Sequence, residues 1–241
     1  ASATAYAEPT EVAPSVKTPT SFAVFIDRAS YDRCREAVEA YRAAVQADGL
    51  GTYIICDDWQ SPDEVRERIL ALASDKRMPL EGVVFVGDVP IAMLRDAQHL
   101  SSAFKMNQAA DRKKSSIPSD RFYDDFDLKF DFIDRDADNP LYFYYSLRHD
   151  SAHHIRSDIY SARIKPVVRE GVDKYEALSA YLRKAAQAYR DTQDNVEPRT
   201  VSTTCSSSAA TATTRRLTTL GRASRWRCAS RSPRCGAAAT A

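Results

Sequence analysis

Short, nearly uninterrupted apolar runs alternate with helix-period segments along the first part of the chain. Ser21 to Asp27 reads as a strand. After it Tyr31, Cys34, Val38, Tyr41 and Val45 recur at spacings of three and four, which places them on one face of a helix with Ser30 as its N-cap. Gly49 and Gly51 end that helix, and the β-branched and aromatic run Thr52 to Cys56 follows as a second strand. Ser61-Pro62-Asp63-Glu64 combines a capping box with proline at the first helical position, opening a helix whose inward residues are Val65, Ile69 and Leu72. Gly82 to Gly87 is a third strand. The order β-α-β-α-β, with strands apolar throughout, predicts an α/β fold: a three-layer α/β/α sandwich around a mostly parallel sheet with helices on both faces.

Beyond Asp88 the alternation stops. A long connection from Val89 to Ile117 contains Pro90, an apolar turn Ile91 to Leu94 and the basic run Arg112-Lys113-Lys114, which reads as a solvated loop. Phe130 to Ile133 and the aromatic stretch Leu141 to Tyr145 pattern as strands of a hairpin, and Ile159 to Ile164 as a further strand. A last helix carries Tyr175, Leu178, Leu182, Ala185 and Tyr189 on one face.

Open α/β sheets bind ligands beyond the carboxyl ends of their strands, and Asp27, Asp57, Asp58 and Asp88 all fall there. A phosphoacceptor receiver needs an acid pair after its first strand and a later lysine; only Asp27 follows the first strand here. No glycine-rich turn follows that strand either, which argues against a dinucleotide or P-loop fold.

Composition narrows the partners. With 34 basic and 33 acidic residues the chain has no global field drawing it to nucleic acid. The longest apolar runs fall far short of the roughly 20 residues that span a bilayer, so no membrane span is expected. Residues 1–20 are rich in Ala, Thr, Pro and Glu without apolar periodicity. They read as a flexible leader, either an ordinary disordered terminus or a mature N-terminus left by a signal peptidase; the second places the protein outside the cell, in the periplasm or on the cell surface. Cys34 and Cys56 sit at core positions, with no disulfide or zinc pattern.

Three segments taken together resemble the gingipain-type cysteine peptidases of the caspase-like superfamily: Gly82-Val83-Val84-Phe85-Val86-Gly87-Asp88-Val89-Pro90, Pro118-Ser119-Asp120-Arg121-Phe122-Tyr123-Asp124-Asp125, and Asp158-Ile159-Tyr160-Ser161-Ala162-Arg163-Ile164 before a long amphipathic helix. The likeness covers roughly Phe22 to Arg190. It implies a caspase/gingipain-like half-domain, the N-terminal half of an endopeptidase whose catalytic His, in a Gly-His-Gly turn, and Cys both lie on a later half that binds the peptide or protein substrate. No Gly-His-Gly occurs in this chain, and after Arg190 no apolar strand ending in Cys can be read. The chain as it stands is therefore expected to be inactive. A binding or scaffold module that keeps the half-fold without hydrolysis is the alternative.

The α/β domain is expected over 21–196 and an aberrant tail over 197–241. From Pro198 to Ala241 only ten residue types occur and no acid is among them. The tail reads either as a genuine disordered low-complexity segment or as the product of a reading-frame shift near Val196 to Thr200. Read from the third base of each codon, Thr204 to Ser208 becomes Leu/Met/Val, Leu/Phe and further apolar residues when the serines are TCN. Ser208 to Ala212 then permits Gly-His-Gly among other outcomes.

By the resemblance, Asp120, Tyr123, Asp124 and Asp125, together with Asp88 at the third strand's end, run beside the substrate cleft. There an acid could orient the catalytic His or accept a basic side chain; the alternative is a solvated turn closing the sheet. No cofactor is required. Asp134, Asp136 and Asp138 alternate as calcium ligands do, with Asn139 where such loops carry glycine, and this reads as a calcium loop or as a polar hairpin turn. His149 and His153 have a spacing that on a helix could hold zinc, but no third ligand is evident and an exposed polar stretch fits better.

Overall fold

The computed structural model describes residues 9–97, 107–152, 154, 156–166 and 170–194, which fall in one compact unit, residues 1–197. The tail, with the expectations attached to it, lies outside the described residues.

The chain runs β1 (Thr10–Val12), β2 (Ser21–Asp27), α1 (Arg28–Ala47), β3 (Gly51–Asp57), α2 (Pro62–Ala73), β4 (Leu80–Val86), β5 (Ile91–Arg95), α3 (Arg112–Ser115), β6 (Ile117–Pro118), α4 (Arg121–Asp124), β7 (Phe130–Arg135), β8 (Tyr142–Leu147), β9 (Tyr160–Ile164) and α5 (Lys174–Asp194). It is a mixed α/β fold with two sheets, ordered β1-β3-β2-β4-β9 and β6-β5-β8-β7. In the first sheet β3, β2 and β4 are parallel, as the apolar runs predict, β9 joins parallel to β4, and β1 adds antiparallel to β3. β1 lies inside the segment expected as a leader. The buried Arg42 side chain explains its docking, donating to the carbonyls of Thr52 and Ala13 and so fastening residues just after β1 to β3.

Alternate residues of the parallel strands build two cores. Phe22, Val24 and Ile26 of β2, Ile54 and Cys56 of β3, and Val84 and Val86 of β4 face α1 and α5, meeting Val38, Val45, Leu178 and Leu182. Ala23, Phe25, Ile55, Val83 and Phe85 face the other way. On that side the structure departs from a cover of helices alone. α2 supplies Val65 and Ile69, but Ala92 and Leu94 of β5 and Phe143, Tyr145 and Leu147 of β8 fill the rest. The apolar turn expected at Ile91 to Leu94 is thus a strand, paired in parallel with β8. The hairpin β7–β8 forms as the aromatic pattern predicts.

Local capping differs in detail. The α1 cap is Asp27, whose carboxylate accepts from Ser30 N at 2.9 Å, so the helix begins earlier than Ser30 implied. For α2, Ser61 Oγ accepts from Glu64 N at 3.3 Å as expected, while the Glu64 carboxylate reaches Gln60 N rather than Ser61 N. Gly82 is where β9 can approach β4 at all: a Cβ there would lie 2.2 Å from the Tyr160 ring.

Candidate functional site at the carboxyl ends of the strands

The connection after β2 leads into α1 on one face, and the connection after β4 leads to the second sheet on the other, so the carboxyl ends of β2 and β4 part at a switch point. That crevice is filled from within. Asp27 lies across it, accepting from Asp88 N at 2.6 Å through one oxygen and from Ser30 N through the other. Gly87 has φ +78, and a Cβ on it would stand 2.3 Å from Asp27 Oδ1 and 2.4 Å from Ser30 Oγ, so only glycine fits. Asp88 points outward between Lys165 Nζ at 2.9 Å and Lys174 Nζ at 2.8 Å. Burial pushes its carboxyl up, but the lysine hydrogen bonds and charges outweigh burial and leave it below the ordinary range.

The three segments that carry the family resemblance meet one strand away. Arg163 of β9 donates to the carbonyl oxygens of Val89 (2.8 Å) and Pro90 (3.1 Å), and pairs with Asp120 at 2.7 Å. Its guanidinium stacks over Phe85 and Tyr123. Tyr123 is wholly buried and donates its hydroxyl to the Pro90 carbonyl at 2.8 Å; burial raises its pKa far above that of a free phenol. Asp124 accepts from Ser161 Oγ (2.6 Å) and Arg121 (3.1 Å), and its own carbonyl accepts from Asp158 N. Burial holds the Asp124 carboxyl above the ordinary range despite those two partners. Asp125, 0% exposed, accepts from Arg156 N at 2.9 Å, and its second oxygen has no partner among the described residues. Arg66 lies beneath, over the rings of Phe122 and Phe130, donating to the carbonyls of Asp125 and Leu128. Desolvation lowers its pKa.

Of the expected cleft residues, Asp120, Tyr123, Asp124 and Asp125 are therefore brought together in a packed network, where the three acids accept from Arg163, Arg121, Ser161 and a backbone amide, while Asp88 stands apart between Lys165 and Lys174. Arg163 is the residue that residue-by-residue reading passed over. Its signal was a lone cation inside the strand Tyr160–Ile164.

The remaining candidates separate. Asp134 pairs with Arg112, and Asp138 with Lys113 at 2.6 Å, while Asp136 accepts from Tyr144 Oη at 2.6 Å and from the amides of Asp138 and Asn139. Tyr144, then the amides, hold the Asp136 carboxyl down to about 2. The three carboxylates do not converge: Asp136 caps the hairpin turn, while the run expected as a solvated loop supplies counterions, Arg112 to Asp134 and Lys113 to Asp136 and Asp138. Among the described residues no group of three or more His, Cys, Asp or Glu is arranged to hold a metal ion. His149 is exposed, and His153 lies outside the described residues. Cys34 and Cys56 are buried and unpaired by disulfide, and burial pushes the Cys56 thiol up to about 11. No described helix is long and apolar enough to cross a membrane. No family model matches the chain, and no curated protein or solved structure matches it either.

Proposed function

We propose that residues 21–196 are the non-catalytic N-terminal half of a secreted gingipain-like cysteine endopeptidase, a three-layer caspase-like half-fold that supports a catalytic half supplying the Cys and His. The observation that carries this reading is the Arg163 network. Three segments distant in sequence resemble the family, and one guanidinium ties all three together through Val89, Pro90 and Asp120. The half itself lacks the means of hydrolysis. Its strand-end crevice is occupied by Asp27, and both described thiols are buried, whereas a nucleophile must stand exposed as a thiolate beside a base. The peptide or protein substrate would meet the other half.

Resequencing the DNA that encodes Val196 to Thr214 tests this. A corrected frame with an apolar strand ending in Gly-His-Gly, followed by a strand ending in Cys, is the expected result, and the corrected protein should hydrolyse peptides in a thiol-dependent way. An unchanged frame would sink the peptidase reading. The filled crevice favours a second reading in that event, a binding or scaffold module that keeps the half-fold without hydrolysis.

A further inference from the structure

Two runs that stand out in the sequence, Arg112-Lys113-Lys114 and Asp134-Arg135-Asp136-Ala137-Asp138, lie against each other in the fold. The first is the only run of three consecutive cations in the chain. It forms α3, a single helical turn in the connection between β5 and β6. Lys114 N and Ser115 N donate to the Asp111 carbonyl at 2.9 and 3.0 Å, and Asp111 Oδ1 caps the turn by accepting from Lys113 N. Gln108 Nε2 donates to the Ser115 carbonyl at 3.2 Å.

The three cations have different fates. Arg112 pairs with Asp134 and lies over the Tyr144 ring, while Lys113 reaches Asp138 at 2.6 Å and Asp136 at 3.6 Å. Lys114 is exposed, and Ser115 after it is buried. Tyr144 belongs to a small apolar cluster with Ile91 and Met93 on the outer face of the second sheet, so the clasp of Arg112 and Lys113 on the acidic hairpin turn holds α3 against that face.

An endopeptidase selective for Lys or Arg takes one cation into an acidic pocket and binds the chain on either side of it in extended form. Lys114 offers the cation, but its neighbours are coiled in the turn and two of them are clasped by carboxylates. The Lys114–Ser115 bond is therefore reached only when α3 opens, and its cleavage follows the population of the open form.

We propose that Lys114 is a conditional processing site, shielded in the closed domain by the acidic hairpin turn and cut on its carboxyl side by a peptidase selective for basic residues when α3 lifts away. Water adds across the Lys114–Ser115 peptide: the C–N bond breaks, Lys114 is left with a carboxylate and Ser115 with an ammonium terminus. The product stays folded, because the fragment ending at Lys114 carries β4 and β5, and the fragment beginning at Ser115 carries their partners β9, β6 and β8. What the cut releases is α3, and with it the cover over Tyr144. The inference does not depend on the peptidase reading, and its outcome leaves that reading untouched.

The test is timed digestion of the full chain with trypsin under native conditions, each cut bond followed by mass spectrometry. Arg77, 91% exposed in the turn between α2 and β4 and paired with Asp75, supplies a reference bond remote from the clasp. Asp134→Asn combined with Asp138→Asn removes two carboxylates that reach solvent and leaves Asp136 to cap the hairpin. It should speed cleavage after Lys114 by about threefold to tenfold relative to the Arg77–Met78 bond. Asp134→Glu combined with Asp138→Glu keeps both charges and should retain most of the protection. The nicked wild type should elute from a sizing column as one folded species. An unchanged relative rate in the asparagine variant overturns the proposal, and so does a glutamate variant cut as fast as the asparagine one. Equal acceleration at both bonds also overturns it, since the carboxylates would then support the whole domain rather than shield one site. Fragments that part once Lys114 is cut would do the same, because a processing site must leave a folded product.

Discussion

The two sheets of this domain are held by different physics. Between the parallel strands and the α1–α5 pair the contacts are almost wholly apolar: Val24, Ile26, Ile54, Val84 and Val86 meet Val38, Leu178 and Leu182. Where the four-stranded sheet joins the other face, apolar packing is interleaved with charge. Arg163 holds Asp120, Arg66 lies over Phe122 and Phe130, and Tyr145 Oη donates to Asp63 at 2.6 Å. Apolar burial is tolerant of sliding and additive in area, whereas a buried guanidinium or carboxylate is satisfied only in one arrangement. The first face is therefore held by apolar burial, and the second also fixes where the second sheet sits.

Substitutions can break that contrast. Ile54 of β3 is fully buried on the α1–α5 face, and Ile54→Ala should cost about 2–5 kcal/mol in urea denaturation, lowering the protection of β2, β3 and β4 together. Arg163→Ala should cost less, about 2–3 kcal/mol, because Asp120 is partly exposed and can recover water and the Pro90 carbonyl keeps the Tyr123 hydroxyl, while the Val89 carbonyl loses its donor. Its signature should be local: hydrogen exchange speeds up in β9 and the second sheet while β2 and β3 stay protected. Uniform loss of protection would mean that the network supports the whole domain and that the two faces are not separable. Arg163→Lys should rescue little, since one ammonium cannot serve two carbonyls and a carboxylate while stacking on two rings. Tyr145→Phe removes one charge-assisted bond to Asp63, and about 1–2 kcal/mol is expected from the midpoint shift.

The smallest effects should appear in the pH dependence, where two carboxyls on the polar side act with opposite sign. Asp136 is held down from 3.8 to about 2, so its contribution is full above pH 4 and is lost as pH falls through 2. Asp124 is raised above 3.8 by burial, so its contribution is full below its unfolded pKa and is lost as pH rises through the folded value. Asp136→Asn should flatten the acid limb of a stability-versus-pH curve, and Asp124→Asn should remove the opposing slope above pH 4. A shared sign would show that one of the two networks is not formed as described. Cys34 and Cys56 sharpen the apolar side: alkylation with peptide mapping should leave both unmodified until the domain unfolds.

The parallel core was legible in the chain because strands buried on both faces must be apolar at successive positions, and Phe22 to Ile26 and Val83 to Val86 are. The helices were legible for the same reason, through Val38, Val65 and Leu178 at helical spacing. Only the tertiary structure made a strand of Ile91 to Leu94. Its parallel partner β8 lies far along the chain, and Pro90 gives the segment the local look of a turn. The acids from Asp120 to Asp125 and from Asp134 to Asp138 were visible as candidates, but sequence carries no record of which cation folds back on which carboxylate. Arg163 reaches Asp120, and Lys113 reaches Asp136 and Asp138, through chain reversals set by the packing of two sheets. Hydrophobic period is a local property and can be read residue by residue; charge pairing at a sheet junction is a property of topology, decided when the two sheets close on each other.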